Sequence, residues 1–165
     1  MSEHATTASK TPKAIGTAED HGSFELRQPL VIRLREAGHH VVDFGDHNLQ
    51  PNDDYPDFGI PLAHAVAEGK TDRGIAVCGS GVGACVAANK IAGVRACLIH
   101  AAFSAHQGVD DNNLNMICLG DQVFGVADAC ELVETFLAAS FSGEERHRRR
   151  LAKVAALELT TKDAW

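Results

Sequence analysis

Residues 73–90 read RGIAVCGSGVGACVAANK. Arg73 leads into an apolar run, Gly74 to Val77, that ends at Cys78. Glycines alternate at 79, 81 and 83, and Ala84 to Lys90 is rich in helix formers. The stretch reads as a buried strand, a tight turn and a helix. Alternating glycines let the backbone approach a ligand with its N–H groups pointing inward. The start of a helix adds a partial positive charge. Cys78 stands where the strand ends and that field begins. Its thiol is therefore expected to ionise more readily than a free one, whose pKa is about 8.5. Ser80 places a hydroxyl inside the turn. A nucleophile or base thus stands beside an anion-binding turn. No Gly-Lys-Ser/Thr closes the turn, so it is not a Walker loop. Its spacing is G-x-G-x-G, which is not the dinucleotide fingerprint G-x-G-x-x-G.

Gly-rich strand-to-helix turns occur in many α/β proteins, so the weight falls on what surrounds this one. Upstream, Lys13 to Ala18 reads as a strand, residues 19–23 as a polar turn and Phe24 to Ala37 as a helix. Gly38 ends that helix. His40 to Phe44 follows as a strand, Gly45 to Pro56 as a polar loop, and Phe58 to Glu68 as a helix. Downstream come strands at Arg95 to Ile99 and Asn115 to Leu119, with a helix at Phe103 to Asp110 between them. Helices at Val126 to Ala139 and Glu144 to Leu159 complete the chain. Strand and helix alternate throughout, which predicts a parallel sheet with helices on both faces. Ligands bind such sheets beyond the carboxyl ends of the strands. Those ends carry Asp20-His21, Cys78-Gly79-Ser80, His100 and Asp121.

At 165 residues the chain is one domain with a proper core. Residues 1–12 are expected to be a disordered polar tail, and residues 13–160 the single folded domain. A formal charge of −7 excludes bulk nucleic-acid binding. No apolar run is long enough to span a membrane, and the N-terminus lacks the apolar stretch of a secretory signal, so a cytoplasmic protein is expected. The 5 cysteines include no C-x-x-C pair and read as reduced, mostly core thiols. The 9 histidines show no H-x-x-x-H spacing, and no metal is expected.

On the last helix, Arg146, Arg150 and Lys153 share a face. In an acidic protein such a face suits a phosphate or carboxylate, although basic helix ends are often only solvated. A thiol with a lowered pKa takes a proton from carbon, a hydroxyl and N–H groups stabilise an oxyanion, and arginines hold a phosphate away from the reacting carbons. That set fits proton transfer alpha to a carbonyl in a sugar phosphate. It also fits acyl or thiol-exchange chemistry, although no Cys-His-Asn/Asp pairing is evident from spacing.

Taken together, the motifs resemble a known family. They are Asp20-His21, Phe24-Glu25-Leu26-Arg27, Asp54-Tyr55-Pro56, Cys78-Gly-Ser-Gly-Val-Gly83, Ala88-Asn89-Lys90, Gly93-Val-Arg95-Ala96 and Arg146-His147 through Arg150. The set is similar to type B ribose-5-phosphate isomerases and the galactose-6-phosphate isomerase subunits, over about residues 13 to 158. The resemblance implies a Rossmann-like three-layer α/β/α sandwich with a five-stranded parallel sheet and a C-terminal helix. It implies no metal and no organic cofactor, and a homodimer or tetramer whose active sites are shared between subunits. The implied reaction is aldose–ketose interconversion through a cis-enediolate. Cys78 would be the base. Ser80 and the N–H groups of Gly79, Gly81 and Gly83 would hold the enediolate oxygens. Asp20 and His21 would contact the sugar, and Tyr55 would line the pocket. Asn112 would reach a neighbour's site, and Arg146 and Arg150 would take the phosphate. Physical reasoning alone places phosphate at the glycine turn, whereas the family places the enediolate there.

Three departures stand out. Family members carry His-Asn where this chain has Asp111-Asn112, and that His opens the sugar ring as an acid. A carboxyl with an ordinary pKa of about 4 is a poor acid at neutral pH. Asp121-Gln122 stands where the family has Gly-x-Arg, and Ser23 stands where it has Gly. The base and oxyanion parts are kept, so the identity of the sugar is affected more than the reaction class. The leading expectation is an isomerase of a pentose, tetrose or hexose phosphate. Two others are an isomerase of a non-phosphorylated sugar, and a silent sugar-phosphate-binding subunit. Retention of Cys78 and Ser80 speaks against the last.

Overall fold

The computed structural model describes residues 11, 13–20, 23–45 and 52–160. Most of the expected N-terminal tail, and His21, lie outside the described residues. In chain order the elements are β1 (Ala14–Glu19), α1 (Phe24–Glu36), β2 (His40–Asp43), α2 (Pro56–Ala67), β3 (Arg73–Cys78), α3 (Val82–Ala88), β4 (Ala96–Leu98), α4 (Ala102–Asn112), β5 (Met116–Gly120), α5 (Val126–Ala138) and α6 (Glu145–Thr160). All five strands pair in parallel, in the order β2-β1-β3-β5-β4. The expected α/β architecture is therefore what the chain adopts.

The strands read as near-continuous apolar runs because both sheet faces are covered. On one face, Ile15, Ile75, Val77, Ile117 and Leu119 meet Leu30 of α1 and Phe136 of α5. On the other, Ala18, Ala76, Cys78, Met116 and Cys118 meet α2 and α3 through Leu62, Ala63, Ala84 and Ala88. Side chains alternate along each strand, so successive residues feed the two cores in turn. The second core is built from small residues, which lets α2 and α3 lie close to the sheet.

Two boundaries differ from the sequence reading in ways that matter. β1 runs through Glu19, which is 3% exposed and not part of a turn. α2 begins at Pro56, two residues early, because a proline at a helix's first position gives up no hydrogen bond. Arg73 also has a structural duty. Its guanidinium donates to the carbonyls of Phe136 and Ala139 at the end of α5, and it lies 4.7 Å from the Phe136 ring centroid. It satisfies carbonyls that the helix end leaves free.

Candidate active site

The sheet order creates a switch point. From β1 the chain crosses to β2 on one side and to β3 on the other, which opens a crevice at the carboxyl ends of β1 and β3. Cys78 is the last residue of β3 and is buried at this crevice. Its neighbours are pinned to it by backbone bonds. Asp20 N–H donates to the Val77 carbonyl (3.3 Å), Asp121 N–H to Cys78 (3.1 Å) and Gln122 N–H to Gly79 (3.1 Å). Three strand ends therefore bring Asp20, Cys78 and Asp121 to one edge. A small cavity there is lined by Glu19, Asp20, Tyr55, Phe58, Cys78 and Ala84.

The glycine turn is held by close approach. Gly81 has φ +78° and caps α3 in the left-handed conformation that favours glycine. A side chain at Gly120 would place its Cβ 2.8 Å from the carbonyl carbon and oxygen of Ser80. The turn thus rests directly on the end of β5. The Tyr55 ring covers Gly83, where an added Cβ would lie 2.6 Å from Cζ. The Gln122 amide lies over Gly79. Ser80 is exposed, and its Oγ accepts from Val82 N–H at 3.3 Å.

Carboxylates crowd this edge. Ser23 Oγ donates to Asp20 Oδ1 at 2.8 Å. Burial, and then the charge of Asp20, push the Asp121 carboxyl above its ordinary pKa. Asp121 Oδ1 is buried without a hydrogen-bond partner among the described residues. One residue before Asp20, Glu19 points to the opposite face. Arg27 Nε lies 3.5 Å from its Oε2, and the same guanidinium pairs with Asp43. Burial first, then the charge of Asp43, push the Glu19 carboxyl up to about 7, with Arg27 acting the other way.

Asp111 and Asn112 lie elsewhere. α4 starts beyond the carboxyl end of β4 and runs back to the amino edge of the sheet, ending at Asn112. Gly74 N–H, at the start of β3, bonds the nearby Asn115 carbonyl at 2.9 Å. The four-residue rise from Gly74 to Cys78 corresponds to roughly 13 Å of strand. There Asp111 meets the start of α6. His147, buried, has Nε2 3.4 Å from Asp111 Oδ1 and Nδ1 2.7 Å from Ser142 Oγ. Arg146 Nε donates to His147 Nε2 (3.1 Å) and lies 2.9 Å from Glu144 Oε2. Arg150 is exposed one turn further on.

The expected site residues therefore form two groups. Asp20, Tyr55, Cys78, Gly79, Ser80, Gly81 and Gly83 share one edge. Asp111, Asn112, Arg146 and Arg150 share the other, with α6. The contact of His147 with Asp111 was not foreseen, because 36 positions separate them and only tertiary packing joins them. Gln122 over Gly79 was visible as a departure but not as a contact.

A five-stranded parallel sheet with a cysteine and a glycine turn at its switch point places the chain among the Rossmann-like α/β proteins, and the comparisons with known proteins narrow the class. The family model described as Ribose/Galactose Isomerase matches residues 15–154, and the chain belongs to that family. It is 37% identical over 146 residues to ribose-5-phosphate isomerase B of Escherichia coli (strain K12), covering 88% of this chain and 97% of that one. It is 36% identical over 130 residues to D-erythrulose-4-phosphate isomerase of Pectobacterium atrosepticum, covering 79% of this chain and 86% of that one. The structure of ribose-5-phosphate isomerase B from Mycoplasma genitalium with bound ribulose-5-phosphate superposes with a TM-score of 0.83 at 36% identity, over 88% of this chain and 95% of that one. The protein is an aldose–ketose isomerase acting on a sugar phosphate. Among the described residues, no helix is long and apolar enough to cross a membrane.

Proposed function

We propose that this chain interconverts an aldose phosphate and its ketose through a cis-enediolate, with Cys78 as base. The Cys78 thiolate takes the proton from C2 of the open-chain aldose and returns it to C1, while a proton moves between the two oxygens. Ser80 and the N–H groups of Gly79, Gly81 and Gly83 hold the developing oxyanion. Asp20 and His21 bind sugar hydroxyls, and Tyr55 closes the pocket wall. Arg146 and Arg150 bind the phosphate. The single observation behind this reading is the position of Cys78, buried at the switch point against a turn fixed by close backbone contact.

The two edges also argue for a shared site in a homodimer or tetramer. One chain keeps Asn112 and the arginines at the amino edge, away from its own Cys78. A second copy supplies them across a two-fold axis. Large apolar side chains stand exposed on α4 and α6, with Phe103 at 72% and Leu157 at 65%, as a subunit interface requires. The test is complementation. Cys78→Ala and Asn112→Ala are each expected to be inactive. Unfolded together and refolded as a mixture, they regain about a quarter of wild-type activity, because half the dimers are mixed and each has one intact site. A mixture as inactive as its parents refutes sharing.

Within this chemistry, Asp111 favours a second reading of the substrate. It is a carboxylate held against His147, at the position where the family resemblance puts a ring-opening imidazole. A substrate that is already open-chain needs no such acid. A tetrose phosphate, which lacks a free hydroxyl for the usual ring, meets that condition. Turnover of erythrose 4-phosphate and ribose 5-phosphate, compared directly, decides between them.

A further inference from the structure

A buried imidazole stands between an arginine and an aspartate at the amino edge. His147 lies near the start of α6, and its side chain is 3% exposed. Its ring is held from several sides. Ser142 Oγ lies 2.7 Å from Nδ1. The segment that carries Ser142 is itself tied to α4, because Ser142 N–H donates to the Asp110 carbonyl at 3.0 Å. At the other nitrogen, Arg146 Nε donates to Nε2 at 3.1 Å, and Asp111 Oδ1 stands 3.4 Å from the same Nε2. Glu144 Oε2 flanks Arg146 Nε at 2.9 Å. The charged groups that these contacts bring to the ring are thus Asp111 from α4, Arg146 from α6, and Glu144 from just before α6.

An imidazole nitrogen either accepts through its one lone pair or, when protonated, donates. Nε2 therefore cannot accept from Arg146 and donate to Asp111 at once. While Arg146 donates, Nε2 carries no proton. The ring proton sits on Nδ1, Ser142 Oγ accepts it, and Asp111 faces a lone pair. The two rivals for Nε2 differ in freedom. The Arg146 side chain is 58% exposed, on a long arm that can swing away, whereas Asp111 is 29% exposed on a short one. The ring between them is packed in place.

We propose that His147 is a positioning residue whose Nε2 passes from Arg146 to Asp111 when Arg146 turns to an anionic group of the substrate. This rests on the reading that Arg146 binds the phosphate. As Arg146 leaves, Nε2 takes one proton from solvent, and the ring becomes an imidazolium. It donates from Nε2 to Asp111 Oδ1, while Nδ1–H stays on Ser142 Oγ. A buried charge has to be paired, and the Asp111 carboxylate is the partner already in place. Asp111 is then fixed by a charge-assisted hydrogen bond once the anion is held, and not before. Its second oxygen is left to accept from a sugar hydroxyl. Capture of the anion thereby sets a side chain that meets the sugar.

The experiment records long-range proton–nitrogen spectra of the imidazole rings in the full-length, nitrogen-15-labelled protein, with inorganic phosphate as the probe. The His147 ring is identified by the signals missing from His147→Gln. Should that variant not fold, it is identified as the ring that shifts in Asp111→Asn. In the free protein Nε2 is expected in the unprotonated range and Nδ1 in the protonated range. Saturating phosphate, with binding followed by calorimetry, should move Nε2 to the protonated range. Arg146→Ala should place it there with no phosphate added. A merely structural histidine would keep one state throughout. An Nε2 that is protonated in free wild type, or stays unprotonated in Arg146→Ala, overturns the exchange. Phosphate that binds and leaves the ring unchanged overturns the coupling. Phosphate that fails to bind refutes the role of Arg146 in the proposed function, and the coupling with it. The Arg146→Ala spectrum still decides the exchange, because it needs no ligand.

Discussion

Replacing Glu19 by Gln tests whether an ionisable group is held at the carboxyl end of β1 against its own preference. Glu19 is buried, and neither carboxylate oxygen has a hydrogen-bond partner among the described residues. Its carboxyl is pushed from an ordinary 4.5 up to about 7. The folded protein therefore keeps a proton that the unfolded chain has released. Stability from this group is complete below about pH 4.5 and is lost as pH rises through about 7. The displacement corresponds to about 3 kcal/mol across that window. Glu19→Gln keeps the shape, cannot ionise, and leaves Arg27 paired with Asp43. Urea unfolding at matched protein concentration, at intervals from about pH 5 to 8, gives the two curves. Their difference isolates Glu19: the variant gains relative to wild type as pH rises, by about 3 kcal/mol at the alkaline end. Parallel curves would refute the reasoning, since they would mean that the carboxyl is solvated in the folded protein.

Three further outcomes are expected. Cys78→Ala abolishes isomerisation while circular dichroism and sugar-phosphate binding by calorimetry stay near wild type; retained turnover removes Cys78 as base. Arg150→Ala raises KM for phosphorylated substrates about 10- to 100-fold, the loss of one charge-assisted contact, and an unchanged KM in steady-state assays assigns Arg150 to the solvated surface. Asp111→His raises turnover of ribose 5-phosphate more than that of erythrose 4-phosphate. If wild type already converts ribose 5-phosphate efficiently and Asp111→Asn abolishes that, the aspartate is itself the acid.

The strand, turn and helix at residues 73–90 were legible because each is specified locally, by an apolar run, alternating glycines and helix formers. The sheet's ligand edge followed from strand–helix alternation alone. Glu19 was misread because a charged residue after an apolar run looks like a turn. What buries it is Arg27 and Asp43, from α1 and β2. The placement of β5 between β3 and β4, and hence of Asp121 beside Cys78, depends on crossovers that periodicity does not encode. The same limit hid the contact of Asp111 with His147, which joins residues 36 positions apart. The arginines looked like a simple basic face, yet Arg146 is already engaged by Glu144 and His147.

The seat of Ser80 on Gly120 bears on how this enzyme can be re-engineered. The atoms that a Cβ at position 120 would strike are backbone, 2.8 Å away, so no rotamer change relieves the clash. The turn's N–H groups are thus set by a hard stop when the chain folds, and under the proposed function a substrate meets them already arranged. A library that varies Gly81 or Gly120 spends its members on misplaced turns. One that varies Asp111, Asp121 and Gln122, on the two edges of the sheet, leaves the stop in place and, under the proposed function, samples the side chains expected to face the sugar.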